Sequence, residues 1–257
     1  MTRLPTFFIS HGSPMLALDA GNAGKTWAQI GQDLPRPRAV LMVSAHWHAT
    51  GSAVSAVVEP ETIHDFGGFP PALYALQYPA PGDPALAREV FQVLTDHGFT
   101  PRTDPARGLD HGAWVPLRVM YPKADVPVVQ LALDMRQGPA WHYHLGQALR
   151  SLRDSGVLIV GSGSMTHNLH DVFGPEPVSP DYVAPFQDWM HGQLDTGNLG
   201  ALLDYRRHAP HAERAHPSEE HLLPLFVALG AAEGERVTRL HDEVTDRVLA
   251  MDVYRFG

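Results

Sequence analysis

The stretch Val157-Leu158-Ile159-Val160-Gly161-Ser162-Gly163-Ser164-Met165-Thr166-His167-Asn168 decides the fold. It opens with an unbroken apolar, largely β-branched run, the composition of a strand covered on both faces. It then passes at once into small and polar residues that lead to a histidine. Two other stretches share this form. Thr6-Phe7-Phe8-Ile9 stops at Ser10-His11-Gly12-Ser13-Pro14, and Ala39-Val40-Leu41-Met42-Val43-Ser44 ends at Ala45-His46-Trp47-His48. Working outward, helical spacing covers 84–97, where Leu86, Val90, Phe91 and Leu94 share a face, and 141–155, with Leu145, Leu149 and Leu152 aligned before a stop at Gly156. Helices are also predicted at 25–32, 183–194 and 219–232, and strands at 54–58, 126–133 and 248–256. Strands alternating with helices predict an α/β fold. The expected architecture is a sandwich with a central, mostly parallel or mixed sheet flanked by helices. No linker interrupts the pattern, so residues 1–257 are read as a single domain.

Composition narrows the function. The 257 residues include 44% hydrophobic and 18% charged, enough for a core and against disorder. The formal net charge is −9, and no basic cluster stands out, which argues against nucleic acid. No apolar run approaches the ~20 residues of a membrane span. The first ten residues turn polar too early for a signal peptide, so a cytoplasmic location is expected. Cysteine is absent, which removes disulfides, thiolate metal sites and thiol nucleophiles. Against that stand 16 histidines. A His-rich, Cys-free chain points to a metal held through nitrogen and oxygen.

Familiar motifs fail. Gly24-Lys25-Thr26 lacks the first glycine of a phosphate loop, because Asp19 stands there. Gly161 and Gly163 follow a strand, but Thr166 holds the third glycine position of a dinucleotide site. Neither H-E-x-x-H nor G-x-S-x-G occurs.

The histidines have a common placement. His11, His46 and His167 each follow the carboxyl end of a predicted strand. In an open α/β sheet such loops meet over one edge, where ligands bind. Three imidazoles delivered there favour a shared ion over three independent loop histidines. His221 is a further candidate, opening a predicted amphipathic helix, with Glu219 or Glu220 placed to cap it. His111 follows Asp110 in a turn-like context. His142 and His144 are expected to be exposed or bonded locally, and His170, His191 and His241 to be surface residues.

Six segments in order carry a resemblance. They are His11-Gly12-Ser13-Pro14-Met15, Val43-Ser44-Ala45-His46-Trp47, Ile63-His64-Asp65-Phe66-Gly67-Gly68-Phe69-Pro70, Leu109-Asp110-His111-Gly112-Ala113-Trp114, Gly163-Ser164-Met165-Thr166-His167-Asn168-Leu169, and the run from Ala209 through His216-Pro217 to His221-Leu222-Leu223-Pro224-Leu225. Together they resemble the class III extradiol aromatic-ring-opening dioxygenases, in the DOPA 4,5-dioxygenase-like branch. The resemblance implies a mononuclear, non-haem Fe(II) site with His11, His46 and His221 on ligand positions. It puts His167 on the acid/base position, which in some members also touches the metal, and His111 beside the metal or substrate. The wider family uses two histidines and a glutamate, so His221 with adjacent Glu220 departs from its pattern. Zn(II) fits the same nitrogen ligands but cannot do the oxygen chemistry.

The resemblance implies the chemistry, and the residue types suit it. Three protein ligands leave positions for the adjacent oxygens of a catechol and for dioxygen. A histidine that titrates near neutrality suits proton transfer, here by His167 with His111 assisting. His64, Asp65, Phe66 and His216 are candidate substrate contacts, and 206–217 is read as either a lid or a surface loop. The expected partners are a small catechol and O2, with no nucleic acid and no membrane. The rival readings are a zinc-dependent hydrolase and a non-enzymatic metal-binding protein on the same fold.

Overall fold

A computed structural model describes residues 3–174 and 180–257. In chain order its strands are β1 Thr6–Ser10, β2 Ala39–Ser44, β3 Ser52–Ser55, β4 Pro101–Asp104, β5 Val128–Gln130, β6 Val157–Gly163, β7 Val237–His241, β8 Val244–Thr245, β9 Leu249–Ala250 and β10 Val253–Phe256. Six of them form the central sheet, in the order β5-β2-β6-β1-β10-β7. The pairings β5-β2, β2-β6 and β6-β1 are parallel, whereas β10 runs antiparallel to both β1 and β7. The sheet is therefore mixed, and helices cover both faces.

Side-chain alternation along each strand divides the core in two. Phe8, Leu41, Val43 and Ile159 point to one face, under the helices Pro139–Leu149 and Leu223–Ala231. Phe7, Ile9, Val40, Met42, Leu158 and Val160 point to the other, under Gly21–Asp33 and His111–Met120. Gly146 and Gly230 let the first helix pair close up, because a Cβ at either would overlap a carbonyl of the opposite helix.

Several elements differ from their predicted bounds. The helix expected at 219–232 spans only Leu223–Ala231, and it is buried on nearly all sides rather than amphipathic. It lies between the sheet and another helix, so it needs no polar face. The helix expected at 141–155 ends at Leu149 and continues as a tighter 3-10 turn to Ser155. Gly156 then stops it in the left-handed region at φ 82°. The strand expected at 248–256 is broken into β9 and β10, that at 54–58 is shifted toward the N-terminus as β3, and that at 126–133 shrinks to β5. The helix His111–Met120 was not anticipated, because it is apolar nearly all round and contains Pro116. Among the described residues, no helix is long and apolar enough to cross a membrane.

Candidate metal centre

Strand register builds the site. Ser10 pairs with Gly163 and Ser44 with Ser162, so β1, β2 and β6 end level at one edge of the sheet. His11 and His46 leave that edge in the first turns. The loop carrying His221 is tied to β6 by the Ser164 amide, which donates to the His221 carbonyl at 2.8 Å. Gly163 makes room for this approach, since a Cβ there would overlap the His221 carbonyl. His111 begins a helix capped by Asp110, whose carboxylate accepts from the Ala113 amide. The same buried carboxylate accepts from Ser44 at 2.6 Å, Arg107 at 2.6 Å and Gln130 at 2.8 Å, clamping that helix start to the end of β2.

Three imidazoles converge there. The ligand nitrogens of His11, His46 and His221 all lie within 4.8 Å of one another. The Nε2 atoms of His11 and His46 are 3.0 Å apart. Each ring is oriented from behind through Nδ1. Ser162 donates its hydroxyl proton to the Gly112 carbonyl, so its oxygen accepts from His11 Nδ1 at 3.0 Å. Glu220 accepts from His221 Nδ1 at 3.1 Å, and Asp65 Oδ2 lies 3.5 Å from His46 Nδ1. With the proton on Nδ1, each Nε2 is left with a lone pair, and those of His11 and His46 face each other. His221 Nε2 is buried and has no hydrogen-bond partner. Facing lone pairs repel, and a divalent cation relieves them; imidazoles held by such rear partners are the usual form of a metal site. A three-nitrogen set of this kind suits iron or zinc and leaves coordination positions open.

Burial keeps these histidines neutral, as ligands must be. Desolvation pushes His11 and His221 well below the ordinary imidazole value, and holds His46 and His167 at about 4. For Asp65, burial raises the carboxyl, but hydrogen bonds from His111 outweigh it and bring the group down to about 2.

The other anticipated residues divide into two sets. His167 lies beside the cluster, stacked on His221, and its own close group comprises Glu220 and His221 rather than His11 and His46. His111 is 4.0 Å from His46 between ring centroids and donates from Nδ1 to Asp65 at 3.0 Å. Phe66 meets His111 edge to face at 5.6 Å and packs with Phe69 and Tyr74, forming an aromatic wall. The remaining candidate substrate contacts have the following partners. His64 hydrogen-bonds the Leu76 carbonyl at 3.0 Å. Both Asp65 oxygens face histidines. His216 is completely buried, with Nε2 donating to the Met165 carbonyl at 2.8 Å, so it lies behind the turn that carries His167 and not on a ligand-facing surface. The 206–217 stretch is no free lid, since Ala209, Ala212, Ala215 and His216 are buried. His142, expected to be exposed or bonded locally, is the second: it is buried, and its Nδ1 is bonded to the Gly138 carbonyl four residues back.

Sequence reasoning missed Ser44, Gly112 and Ser162 as parts of the site. Gly112 lies so close behind the ligands that a Cβ there would stand 3.0 Å from the His46 ring and 3.2 Å from that of His11. All three residues stood in the quoted segments, but a serine at a strand end reads as an ordinary turn residue.

Residues 5–255 match the family described as "Catalytic LigB subunit of aromatic ring-opening dioxygenase". The chain belongs to this family. It is 43% identical over 260 residues to "4,5-DOPA dioxygenase extradiol" of Beta vulgaris, with 98% of this chain and 96% of the relative covered. A protein of the same name from Escherichia coli (strain K12) is 42% identical, covering 91% of this chain and 87% of its own. The crystal structure of an uncharacterized protein from Escherichia coli K12 superposes with a TM-score of 0.84 at 34% identity, covering 99% of this chain and 100% of that one. The LigB-family chain is a class III extradiol, aromatic-ring-opening dioxygenase, a metal-dependent, non-haem oxidoreductase that uses O2 and a small aromatic substrate. This decides against the hydrolase and the non-enzymatic readings.

Proposed function

We propose that this dioxygenase opens the ring of a DOPA-like catechol at an Fe(II) centre held by His11, His46 and His221, as one catalytic domain working in the cytoplasm. The observation that carries this reading is the convergence of a ring nitrogen from each of His11, His46 and His221 within 4.8 Å of one another. Two relatives that this chain matches along most of its length are named for DOPA, which supports the substrate class. Bound Fe(II) supplies the Lewis acidity that eases catechol deprotonation and the electrons that activate dioxygen.

The chain's own residues do the rest. His167 is neutral near pH 7 and lies against the cluster, placed to take up a catechol proton and return it later. His111 assists through Nε2, because its Nδ1 is committed to Asp65. Phe66 contributes an aromatic face beside His111 for the substrate ring. Glu220 orients His221 through Nδ1 and is assigned no metal bond. Zn(II) fits the same nitrogens and yields an inactive form, since it has no redox chemistry.

The test is to load apoprotein with Fe(II) without oxygen, add a panel of catechols that includes DOPA, and then admit O2. The expected result is oxygen uptake matched by a yellow ring-opened product, with neither in the Zn(II)-loaded protein. Fe(II)-loaded protein that consumes no oxygen and forms no product on any catechol would overturn the proposal.

A further inference from the structure

We propose that Asp65 is a positioning residue of the centre, a single carboxylate that fixes the tautomers of His46 and His111 together and thereby sets metal affinity. This rests on His46 as a ligand. Asp65 reaches the site from a loop that carries none of the converging histidines. Its Oδ1 accepts twice from His111, from the backbone amide at 2.9 Å and from Nδ1 at 3.0 Å. Its Oδ2 faces His46 Nδ1 at 3.5 Å. The far nitrogen of His46, Nε2, is the one that meets His11. A carboxylate offers only acceptors, so the hydrogen bond fixes the His111 proton on the side of Asp65, and the negative oxygen 3.5 Å from His46 Nδ1 favours the same tautomer there. Both therefore turn an unprotonated Nε2 the other way, His46 as a ligand and His111 as a proton acceptor. The two rings, 4.0 Å apart, are held as a pair by one side chain.

An amide cannot reproduce this. Asn has one acceptor and one NH2 group. In Asp65→Asn the oxygen is drawn to the two donors of His111, which leaves NH2 facing His46 Nδ1. That nitrogen must then accept, and the His46 proton moves to Nε2, the atom needed for the metal. The variant keeps His111 in place and spoils His46. Asp65→Ala removes the acceptor from both.

The test measures Zn(II) affinity of the apoprotein by competition with a chromophoric chelator, with circular dichroism to confirm folding. A roughly 10–100-fold loss is expected in Asp65→Asn and in Asp65→Ala, the range for losing a partner behind a ligand. With saturating Fe(II), the catechol KM of Asp65→Asn stays at the wild-type value, and kcat falls further in Asp65→Ala than in Asp65→Asn. Should Asp65→Asn fail to fold, Asp65→Ser supplies the affinity measurement. Wild-type Zn(II) affinity in the folded variants, or a raised KM with affinity intact, would overturn the inference; the second result would make Asp65 a substrate contact. Wild-type protein that takes up no Zn(II) would overturn the proposed centre itself, and this inference with it.

Discussion

The imidazole of His167 lies flat on that of His221, with centroids 3.3 Å apart and planes 11° apart. His167 thus turns its ring face to His221, and its nitrogen is grouped with Glu220 and His221, apart from the group of His11, His46 and His221. An acid/base group in this position is separable from the ligands. His167→Ala is expected to retain metal stoichiometry while kcat falls about 10²–10⁴-fold, the usual contribution of general acid–base catalysis. His46→Ala is expected to lose the metal. Elemental analysis of both proteins beside oxygen uptake checks this; equal metal loss would make His167 a ligand.

Space behind the proposed ligands His11 and His46 is restricted. In Gly112→Ala the new methyl meets Ser44 Oγ at 2.5 Å as well as the two rings. His11 has a rear hydrogen bond to Ser162 and His46 a carboxylate 3.5 Å behind it, which resist a compensating shift, so Zn(II) affinity should fall at least about tenfold, as when a supporting contact is lost. Gly192 lies inside the helix Val183–Thr196 with open space around it. Gly192→Ala should leave affinity unchanged and stabilise the fold by roughly 0.5–1 kcal/mol, which a urea titration will read.

Acid should unfold the apoprotein early. Burial lowers His142, remote from the centre, to about 4, against the ordinary 6.5 of the unfolded chain. Between those values the unfolded chain binds a proton that the folded one refuses. The contribution is fully present above pH 6.5 and is lost as pH falls from 6.5 through 4. His216, also at about 4, adds in the same direction. Urea unfolding from pH 7.5 down to 4.5 should show this decline, with a shallower slope in His142→Leu. Identical slopes would contradict the assignment of a neutral, buried His142.

Arg153 is a stability residue with no part in the chemistry. It is 1% exposed and donates to the carbonyls of Leu4 and Ala231 and to both oxygens of Glu235. Its guanidinium holds the Glu235 carboxyl below the usual range. Arg153→Met leaves two carbonyls without this donor and Glu235 with only its longer contacts to Arg3 and Arg150, both 3.6 Å. The expected destabilisation is about 3 kcal/mol, the lower end for breaking a buried pair, because Glu235 is 22% exposed. Chemical denaturation measures it, and metal stoichiometry should not change.

The legible part of the molecule was local. Apolar runs such as Val157 to Val160 and Ala39 to Val43 read as covered strands because burial on both faces demands an unbroken run, and each is a strand of the central sheet. Their histidine-bearing turns read as site positions because loops beyond strand carboxyl ends meet over one edge of the sheet. The helix His111–Met120 escaped because a helix buried all round loses the 3.6-residue rhythm that marks an amphipathic one. His216 looked like a lid residue, since a Pro- and His-rich stretch reads as surface until the core formed by Phe186 and Tyr205 is seen to enclose it.

The sequence by itself determined the α/β class, the ordered family segments and the set of histidines, since composition, periodicity and turn residues act along the chain. Only the tertiary structure decided which nitrogen of each ring faces inward, that Asp65 serves two histidines 19 and 46 positions away, and that Ser162 and Glu220 stand behind the ligands. Those assignments depend on the register between strands more than a hundred residues apart, such as Ser10 opposite Gly163. Hydrogen-bond direction is a property of the pair that meets, and a pair exists only once the chain has folded.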